Sequence, residues 1–173
     1  KFTYVPVLIG GVFKATGNAS PAVTLQGIKN KGEYQNIEME RFLIKHQISD
    51  YNQNPFFPVN TLQIMRGAVF AQTQNDYKRY IDEIYQHMWC EPKKMDEPEV
   101  IRAALEQSGL PAADIFAGMQ DPTIKQTLID NTNRSVEMGA FGSPTFFVGK
   151  EIFFGKDKLT DVEDEILKNN QKR

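Results

Sequence analysis

The run from Gly142 to Val148, Gly-Ser-Pro-Thr-Phe-Phe-Val, contains residue types that can bind an extended peptide through main-chain hydrogen bonds. Proline has no N–H to donate to a sheet, so it is tolerated where a strand begins. A cis Ser143–Pro144 bond would turn the N–H and C=O of Ser143 outward, ready to pair with such a peptide. Only about 5–6% of X-Pro bonds in folded proteins are cis, so this hypothesis depends on the elements around the bond.

The elements around this bond follow a definite order. A helix ends at Gly139, two short apolar runs predict a hairpin that turns at Gly149-Lys150, and a last helix is predicted over 158–168. A helix, Gly-x-Pro, a strand, a tight turn, a second strand and a helix together support a cis bond before Pro144.

The joint between the hairpin and the last helix contains Lys156 and Asp157. One hypothesis is structural, with Asp157 as the N-cap of the helix. The other is functional, with Lys156 and the helix N-terminus facing a ligand while Asp157 accepts a hydrogen bond from the lysine ammonium group. Both hypotheses can hold together.

A glycine-rich loop follows the first apolar run of the chain. Gly10 and Gly11 permit close approach of the backbone to a ligand at the end of a strand, and Lys14 and Asn18 follow them. The alternative is a plain connection between a strand and a helix. Lys14 and Lys31 are candidate partners for a carboxylate, although exposed lysines are usually only solvated.

Two phenylalanines stand between two prolines in the loop over 54–60, Asn-Pro-Phe-Phe-Pro-Val-Asn. In such a rigid loop Phe56 and Phe57 could form the wall of an apolar pocket. They could equally fill the join between the helical part of the chain and the sheet. The sequence leaves both interpretations open.

The sequence gives little reason to expect a cysteine nucleophile or a metal site. The single cysteine, Cys90, rules out both a disulfide and a Cys-x-x-Cys pair within these residues. It lies at the predicted C-terminal end of a helix, where the helix dipole disfavours a thiolate. His46 and His87 lie far apart and lack metal-ligand spacing, so we expect no metal site.

The composition is that of an ordinary globular protein of 173 residues. Lys and Arg number 20 against 22 Asp and Glu, a net charge of −2, which gives no electrostatic reason to expect nucleic acid as a partner. No apolar run reaches the roughly 18 residues of a transmembrane helix. We expect a cytoplasmic protein with no nucleic-acid or membrane partner.

The order of predicted elements indicates one domain inserted into another. Residues 1–9 have strand composition, and more than a hundred mainly helical residues would separate them from the hairpin. An isolated hairpin is marginal in water, so we expect the opening strand and the hairpin to share one sheet. This predicts one domain over 1–18 and 130–173, with a helical domain, 19–129, inserted. Because the chain opens in mid-strand, we also expect a segment upstream.

Five stretches resemble one family in the order of that family: 12–18 (Val-Phe-Lys-Ala-Thr-Gly-Asn), 54–62, 65–68 (Met-Arg-Gly-Ala), 142–148 and 154–157 (Phe-Gly-Lys-Asp). The chain resembles the 2-hydroxychromene-2-carboxylate isomerases, relatives of the kappa-class glutathione transferases within the DsbA-like thioredoxin superfamily. The resemblance implies an α/β, thioredoxin-like fold of the DsbA and kappa glutathione transferase type with a large helical insertion. It also implies that the catalytic serine lies upstream of Lys1, so no catalytic residue is identified.

Glutathione is the cofactor that the resemblance implies. The residues implied to bind it are Asn18, Lys31, Ser143, Pro144, Lys156 and Asp157. In this interpretation the backbone of Ser143 pairs with the cysteinyl unit, and Asn18 and Lys31 reach the glycyl side. Lys156 and Asp157 hold the γ-glutamyl end.

The implied substrate is a small aromatic carboxylate. Asn54, Phe56 and Phe57 would line its pocket, and Lys14 would attract its carboxylate. Glutathione thiolate would add reversibly to a conjugated double bond, which becomes single, rotates and re-forms as the thiolate leaves. The resemblance further implies a homodimer.

Three alternatives stay open. The first is a kappa-like glutathione transferase or peroxidase. The second, a DsbA-like protein thiol oxidoreductase, needs two cysteines where only Cys90 is present. The third is a non-catalytic thioredoxin-like binding module. Residues upstream of Lys1 would separate them: Ser-Pro favours the isomerase or the transferase, Cys-x-x-Cys the oxidoreductase, and neither the binding module.

Overall fold

The structure is a computed structural model and describes residues 2–171, the side chain of Ala22 excepted. Over these residues the chain is mainly helical, with one hairpin near its C-terminal end. The helices are α1 (Ile9–Thr16), α2 (Pro21–Thr24), α3 (Lys31–Lys45), α4 (Leu62–Thr73), α5 (Tyr77–Tyr85), α6 (Pro98–Gln107), α7 (Ala112–Gln120), α8 (Pro122–Glu137) and α9 (Leu159–Gln171). A π-helical turn, Gln86–Cys90, continues α5, and a 3-10 turn, Lys156–Lys158, precedes α9.

The described chain forms two compact units. We call residues 2–6 and Ser20–Leu128 the helical unit, and Val7–Ala19 with residues 129–171 the hairpin unit. This grouping places residues 2–6 with the helices, whereas the sequence-based division placed them with the hairpin. The predicted domain division itself stays a prediction.

The helical unit is built around one apolar core in which α4 packs against α5 and α7. Gly67 on α4 allows this close approach. A Cβ at that position would lie 2.7 Å from Tyr80 Cζ and 2.8 Å from Met119 Cε. Tyr80 is buried, and its hydroxyl donates a hydrogen bond to the carbonyl oxygen of Ile64 at 2.8 Å. The polar end of this core tyrosine is therefore satisfied inside the unit.

The hairpin unit contains strands β1 (Thr145–Val148) and β2 (Glu151–Phe154), which pair antiparallel with Phe147 opposite Ile152. Gly149 at the turn has a φ of 62°, a left-handed conformation that glycine adopts without strain. The hairpin predicted across Gly149-Lys150 is confirmed. The helix α9 packs against β1, and its Val162 is buried.

The expected opening strand is wrong. Residues 2–8 form no regular element, and the only sheet within residues 2–171 is the two-stranded hairpin. The physical reason is that the main chain here has other partners. The N–H of Leu8 donates to Thr132 Oγ1 at 3.0 Å, and its carbonyl oxygen accepts from Gly11 and Val12 at the start of α1. The expectation that this segment shares a sheet with the hairpin is therefore also wrong.

Candidate functional site

The loop before β1 presents the predicted Ser-Pro pair at the surface of the hairpin unit. The Ser143–Pro144 peptide bond is cis, and both residues are exposed. Hydrogen bonds hold the loop at both ends. Thr145 Oγ1 donates to the carbonyl oxygen of Gly142 at 2.8 Å, and the N–H of Gly155 donates to the carbonyl oxygen of Pro144 at 3.0 Å. The second bond fixes Pro144 next to the joint that contains Lys156.

The main chain of Ser143 is unused within the described part of the chain. Neither its N–H nor its carbonyl oxygen forms a hydrogen bond with any of residues 2–171. Main-chain polar groups that do not pair inside a protein are satisfied by water or by a ligand. An exposed N–H and C=O on one residue can pair with an extended peptide in the manner of a strand edge.

Two aromatic rings flank the loop before β1. The sequence analysis did not select either of them as a site residue. The ring centroids of Phe141 and Phe154 lie 4.6 Å apart, tilted by 48°. Gly142 allows Phe154 to lie against the loop, because a Cβ there would be 2.7 Å from the Phe154 ring. The signal that could have identified these residues is their position, since Phe141 directly precedes the motif over 142–148 and Phe154 is the first residue of the motif over 154–157.

Asn18 lies beside the loop that contains Ser143. The family resemblance implied that these two residues bind the same ligand. Its side-chain amide donates to the carbonyl oxygen of Phe141 at 2.8 Å, and its Oδ1 accepts from the N–H of Ala19 at 2.8 Å. Gly17, with a φ of 67°, ends α1 and turns the chain toward this contact. The structure therefore joins two predicted site segments that lie 123 positions apart.

Lys156 and Asp157 form an ion pair with 2.6 Å between Nζ and Oδ1. The acceptor role predicted for Asp157 toward the lysine is thus present. The N-cap interpretation of Asp157 is wrong, because α9 begins only at Leu159 and Asp157 lies within the preceding 3-10 turn. An exposed pair of this kind is worth at most about 1 kcal/mol, so a ligand can displace it at little cost.

The two other predicted lysines lie in different units. Lys14 is on α1 of the hairpin unit, and Lys31 is the first residue of α3 in the helical unit. Both are exposed, and neither forms an ion pair with a carboxylate of residues 2–171. Each ammonium group is free to meet an anion, and their predicted roles stay predictions.

Asn54 is buried, with 2% of its surface exposed, and its side chain organises the loop around it. Its amide donates to the carbonyl oxygens of Met88 and Lys93, both at 3.0 Å. Its Oδ1 accepts from the N–H of Phe56 at 2.9 Å. Because both amide hydrogens are used, Asn54 has no donor left for a substrate. Its observed contacts are those of a residue that positions its neighbours.

Phe56 and Phe57 are both about half exposed on the helical unit. The Phe57 ring lies 6.0 Å from the ring of Trp89, which stacks on Tyr51 at 5.9 Å. Phe57, Trp89 and Tyr51 form a surface that we call the aromatic cluster. The sequence analysis did not select Trp89, because its contacts with Phe57 and Tyr51 depend on residues more than thirty positions away.

His87, in the π-helical turn, is part of a polar network with Lys93, Ser108 and Glu83. His87 is buried, its Nε2 lies 2.9 Å from Ser108 Oγ, and its Nδ1 lies 2.8 Å from Lys93 Nζ. Ser108 Oγ donates to Glu83 Oε2 at 2.6 Å. Lysine can only donate, so Nδ1 of His87 must accept and Nε2 must hold the proton. This order prevents His87 from acting as a base toward Ser108, so the cluster is not a serine nucleophile with its base.

The thiol of Cys90 is not activated. Its Sγ lies 3.7 Å from Asp50 Oδ2, and no cation is among its contacts. Burial, followed by the Asp50 carboxylate, raises the pKa of the Cys90 thiol above its ordinary value. A raised pKa keeps the thiol protonated near neutral pH, which agrees with the expectation that Cys90 is not a nucleophile.

Residues 2–171 contain neither a cluster of metal ligands nor a helix suited to a membrane. No group of three or more His, Cys, Asp and Glu side chains in this range is arranged to hold a metal ion. No helix in the same range combines the length and apolar character needed to cross a bilayer.

A family model and a solved structure both match almost the whole chain. A family model described as the DSBA-like thioredoxin domain matches residues 1–167. A solved structure of a 2-hydroxychromene-2-carboxylate isomerase superposes with a TM-score of 0.81 at 19% identity, covering 98% of this chain and 81% of that one. The predicted thioredoxin-like fold of the DsbA type, with its helical insertion, is confirmed.

Curated relatives fall into the two predicted groups. Human glutathione S-transferase kappa 1 is 26% identical over 89% of this chain and 72% of its own length. The 2-hydroxychromene-2-carboxylate isomerase of Sphingobium xenophagum is 23% identical over 95% of this chain and 82% of its own length. The isomerase of Pseudomonas putida is 21% identical over 86% of this chain and 71% of its own.

Proposed function

This chain belongs to the DSBA-like thioredoxin domain family, and we propose that it is a glutathione-dependent enzyme that isomerises an aromatic-ring-derived carboxylate. The substrate would be of the 2-hydroxychromene-2-carboxylate type. Relatives named as isomerases and as glutathione transferases support the glutathione chemistry. The step from those names to this chain is our proposal.

The observation on which the proposal depends is the unpaired main chain of Ser143 beside the Lys156–Asp157 pair. The Gly155 N–H to Pro144 carbonyl bond, 3.0 Å long, connects the two. In the proposed complex the Ser143 N–H and C=O pair with the cysteinyl unit of glutathione. The γ-glutamyl end has one ammonium and one carboxylate group. The exposed Lys156 and Asp157 side chains offer the opposite charge to each.

The remaining proposed contacts with glutathione and the substrate involve Asn18, Lys31 and Lys14. Asn18 has one amide hydrogen on the Phe141 carbonyl and a second for a ligand near the loop. Lys31 belongs to the helical unit, and the contact with the glycyl carboxylate that the resemblance implies for it stays a prediction. We propose that Lys14, free of an ion pair among the described residues, attracts the substrate carboxylate.

Phe56 and Phe57 belong to the helical unit, and the contact with the aromatic part of the substrate that the resemblance implies for them stays a prediction. Asn54 acts on this contact indirectly, because its buried amide holds the Phe56 main chain. The chemistry balances without another reactant. The hemiketal ring of the chromene first opens, as its C–O bond breaks and the hydroxyl proton passes to the phenol oxygen. The thiolate then forms one C–S bond to a conjugated carbon while the electron pair of the double bond moves to the keto oxygen. The resulting single bond rotates, and elimination of the thiolate restores the double bond. We assign thiol activation to none of the described residues, since the pKa of the single cysteine is raised.

Titration calorimetry with glutathione tests the cofactor part of the proposal. Lys156→Gln should weaken binding by about tenfold, the usual scale for one charge-assisted contact. Lys158→Gln is the matched control, because Lys158 also pairs with an aspartate at 2.8 Å but has no proposed ligand. It should change the dissociation constant by less than about twofold. Absence of glutathione binding, or equal effects of the two variants, would contradict the proposed site.

An absorbance assay on the chromene carboxylate tests the reaction. Isomerisation that requires added glutathione supports the proposal. Glutathione binding with conjugation of an electrophilic aryl halide, and without isomerisation, would instead identify a kappa-like transferase. The similarity to kappa-class relatives makes that transferase the second candidate function. Glutathione binding without either activity would indicate a binding module.

A further inference from the structure

Protonation of His87 would place a ring N–H donor against the ammonium donor of Lys93. The neutral ring accepts a hydrogen bond at Nδ1 from Lys93 Nζ, 2.8 Å away. A second ring proton would occupy that same nitrogen and would face an ammonium group that has no acceptor to offer. The imidazolium and the ammonium would also repel each other, because both are positive and the ring is buried.

The other charged groups around His87 do not remove this conflict. Glu83 on α5 reaches the ring only through Ser108, and the Glu91 carboxylate accepts from Gln107 at 3.4 Å. Arg79 donates to the carbonyl oxygens of Ser108 and Gly109 and lies 4.0 Å from Asp76, so it offers the ring no acceptor. Burial and Lys93 lower the pKa of His87, and the two carboxylates only oppose them. Relief requires Lys93 to move away.

Lys93 is tied to the loop that presents the phenylalanines. Its N–H donates to the carbonyl oxygen of His87 at 2.8 Å, and its own carbonyl oxygen accepts from the amide of Asn54 at 3.0 Å. Asn54 Oδ1 in turn holds the N–H of Phe56. The Lys93 ammonium group also donates to Gln107 Oε1, so we infer that its displacement shifts the main chain of Lys93 as well. Such a main-chain shift would reach Phe56 through two hydrogen bonds.

We propose that His87 and Lys93 form a pH-sensitive switch on the loop over 54–58. With His87 neutral, Lys93 stays in place and Asn54 holds the loop. With His87 protonated, Lys93 is displaced, Asn54 loses one of its two carbonyl acceptors, and the loop with Phe56 and Phe57 loosens. His87 is thus a positioning residue. The inference concerns the helical unit alone and does not rest on the proposed function.

The emission of Trp89 in the full chain reports on this loop directly. Trp89 is the only tryptophan, and its ring lies 6.0 Å from that of Phe57. As pH falls from about 8 to about 5, the range in which histidine titrates, we expect a single step toward greater acrylamide quenching. The far-UV circular dichroism should stay constant over the step. A change in dichroism at the same pH would mean global unfolding and would overturn the proposal.

Four variants separate the switch from other titrations. Lys93→Gln should abolish the step, because a glutamine amide can donate to or accept from Nδ1 and so suits both states. Lys93→Arg should keep it, because arginine retains the charge and only donates. His87→Gln should abolish the step, and His46→Gln, which changes the only other histidine, should leave it intact. A step that persists in Lys93→Gln overturns the proposal even if His87→Gln fails to fold.

Discussion

The side-chain amide of Asn18 donates a hydrogen bond to the main-chain carbonyl oxygen of Phe141, with 2.8 Å between nitrogen and oxygen. Asn18 follows α1, and Phe141 lies two residues before Ser143. One side chain thus links the two segments of the hairpin unit that the family resemblance assigned to a single ligand. Asn18 positions the loop with one amide hydrogen and keeps the other for a ligand, so its structural and proposed binding roles are compatible.

Replacing Asn18 by aspartate should destabilise the loop at least as much as replacing it by alanine. Asp retains the acceptor for the Ala19 N–H but places a carboxylate oxygen against the Phe141 carbonyl. Alanine removes both hydrogen bonds, at a cost of about 0.5–1.5 kcal/mol for each in the free energy of unfolding. Urea denaturation of both variants measures this. An aspartate variant as stable as the wild type would show that the Asn18–Phe141 bond does not hold the loop.

Alanine at Gly67 should destabilise the helical unit by about 1–3 kcal/mol, the usual cost of overpacking a core. The new methyl would lie 2.7 Å from Tyr80 Cζ, and Tyr80 is buried with its hydroxyl bonded to Ile64. The ring therefore has no easy direction in which to move. Thermal unfolding followed by circular dichroism measures the effect.

Gly32 provides the matched control for that substitution. It also lies in a helix of the helical unit, α3, but nothing lies within 4 Å of a Cβ added there. Gly32→Ala should be neutral or should stabilise by up to about 1 kcal/mol, because alanine favours helix. Equal effects of the two substitutions would mean that α4 does not pack as closely as described.

The reaction of Cys90 with iodoacetamide should be slow. Its pKa is raised first by burial and second by Asp50, so the thiolate is scarce near neutral pH. Asp50→Asn removes the smaller cause and should accelerate alkylation by less than about tenfold, the change expected for one pKa unit. Mass spectrometry follows the reaction cleanly, because Cys90 is the only cysteine. Alkylation faster than that of free glutathione would contradict the description of this thiol.

Elements set by short-range signals could be predicted from the sequence. The hairpin follows from two apolar runs around Gly149, whose φ of 62° suits glycine. The start of α8 follows from Asp121-Pro122, and Asp121 Oδ1 does accept from the N–H of Thr123 at 2.6 Å. In both cases the residues that decide the conformation lie within a few positions of each other.

Features that depend on distant partners could not be predicted. Residues 1–9 have strand composition, but a strand also needs a neighbouring strand, and Leu8 bonds to Thr132 instead. The family resemblance placed Asn54 in a substrate pocket, and that role stays a prediction. Its burial depends on the carbonyl oxygens of Met88 and Lys93, 34 and 39 positions away. No local pattern shows where such partners lie.

Stability should fall as pH falls below about 6.5, the ordinary pKa of histidine. The folded chain lowers the pKa of His87, through burial first and Lys93 second, so the unfolded chain takes up this proton first. The His87 contribution is therefore complete above about pH 6.5 and is lost as pH falls toward the lower folded pKa. The slope can reach about 1.4 kcal/mol per pH unit for one proton, and urea midpoints between about pH 5.5 and 7.5 measure it. His46→Gln should keep this slope, and His87→Gln should flatten it while lowering stability overall. A wild-type curve that is flat or rises toward acid would show that the His87–Lys93 contact does not exclude the proton.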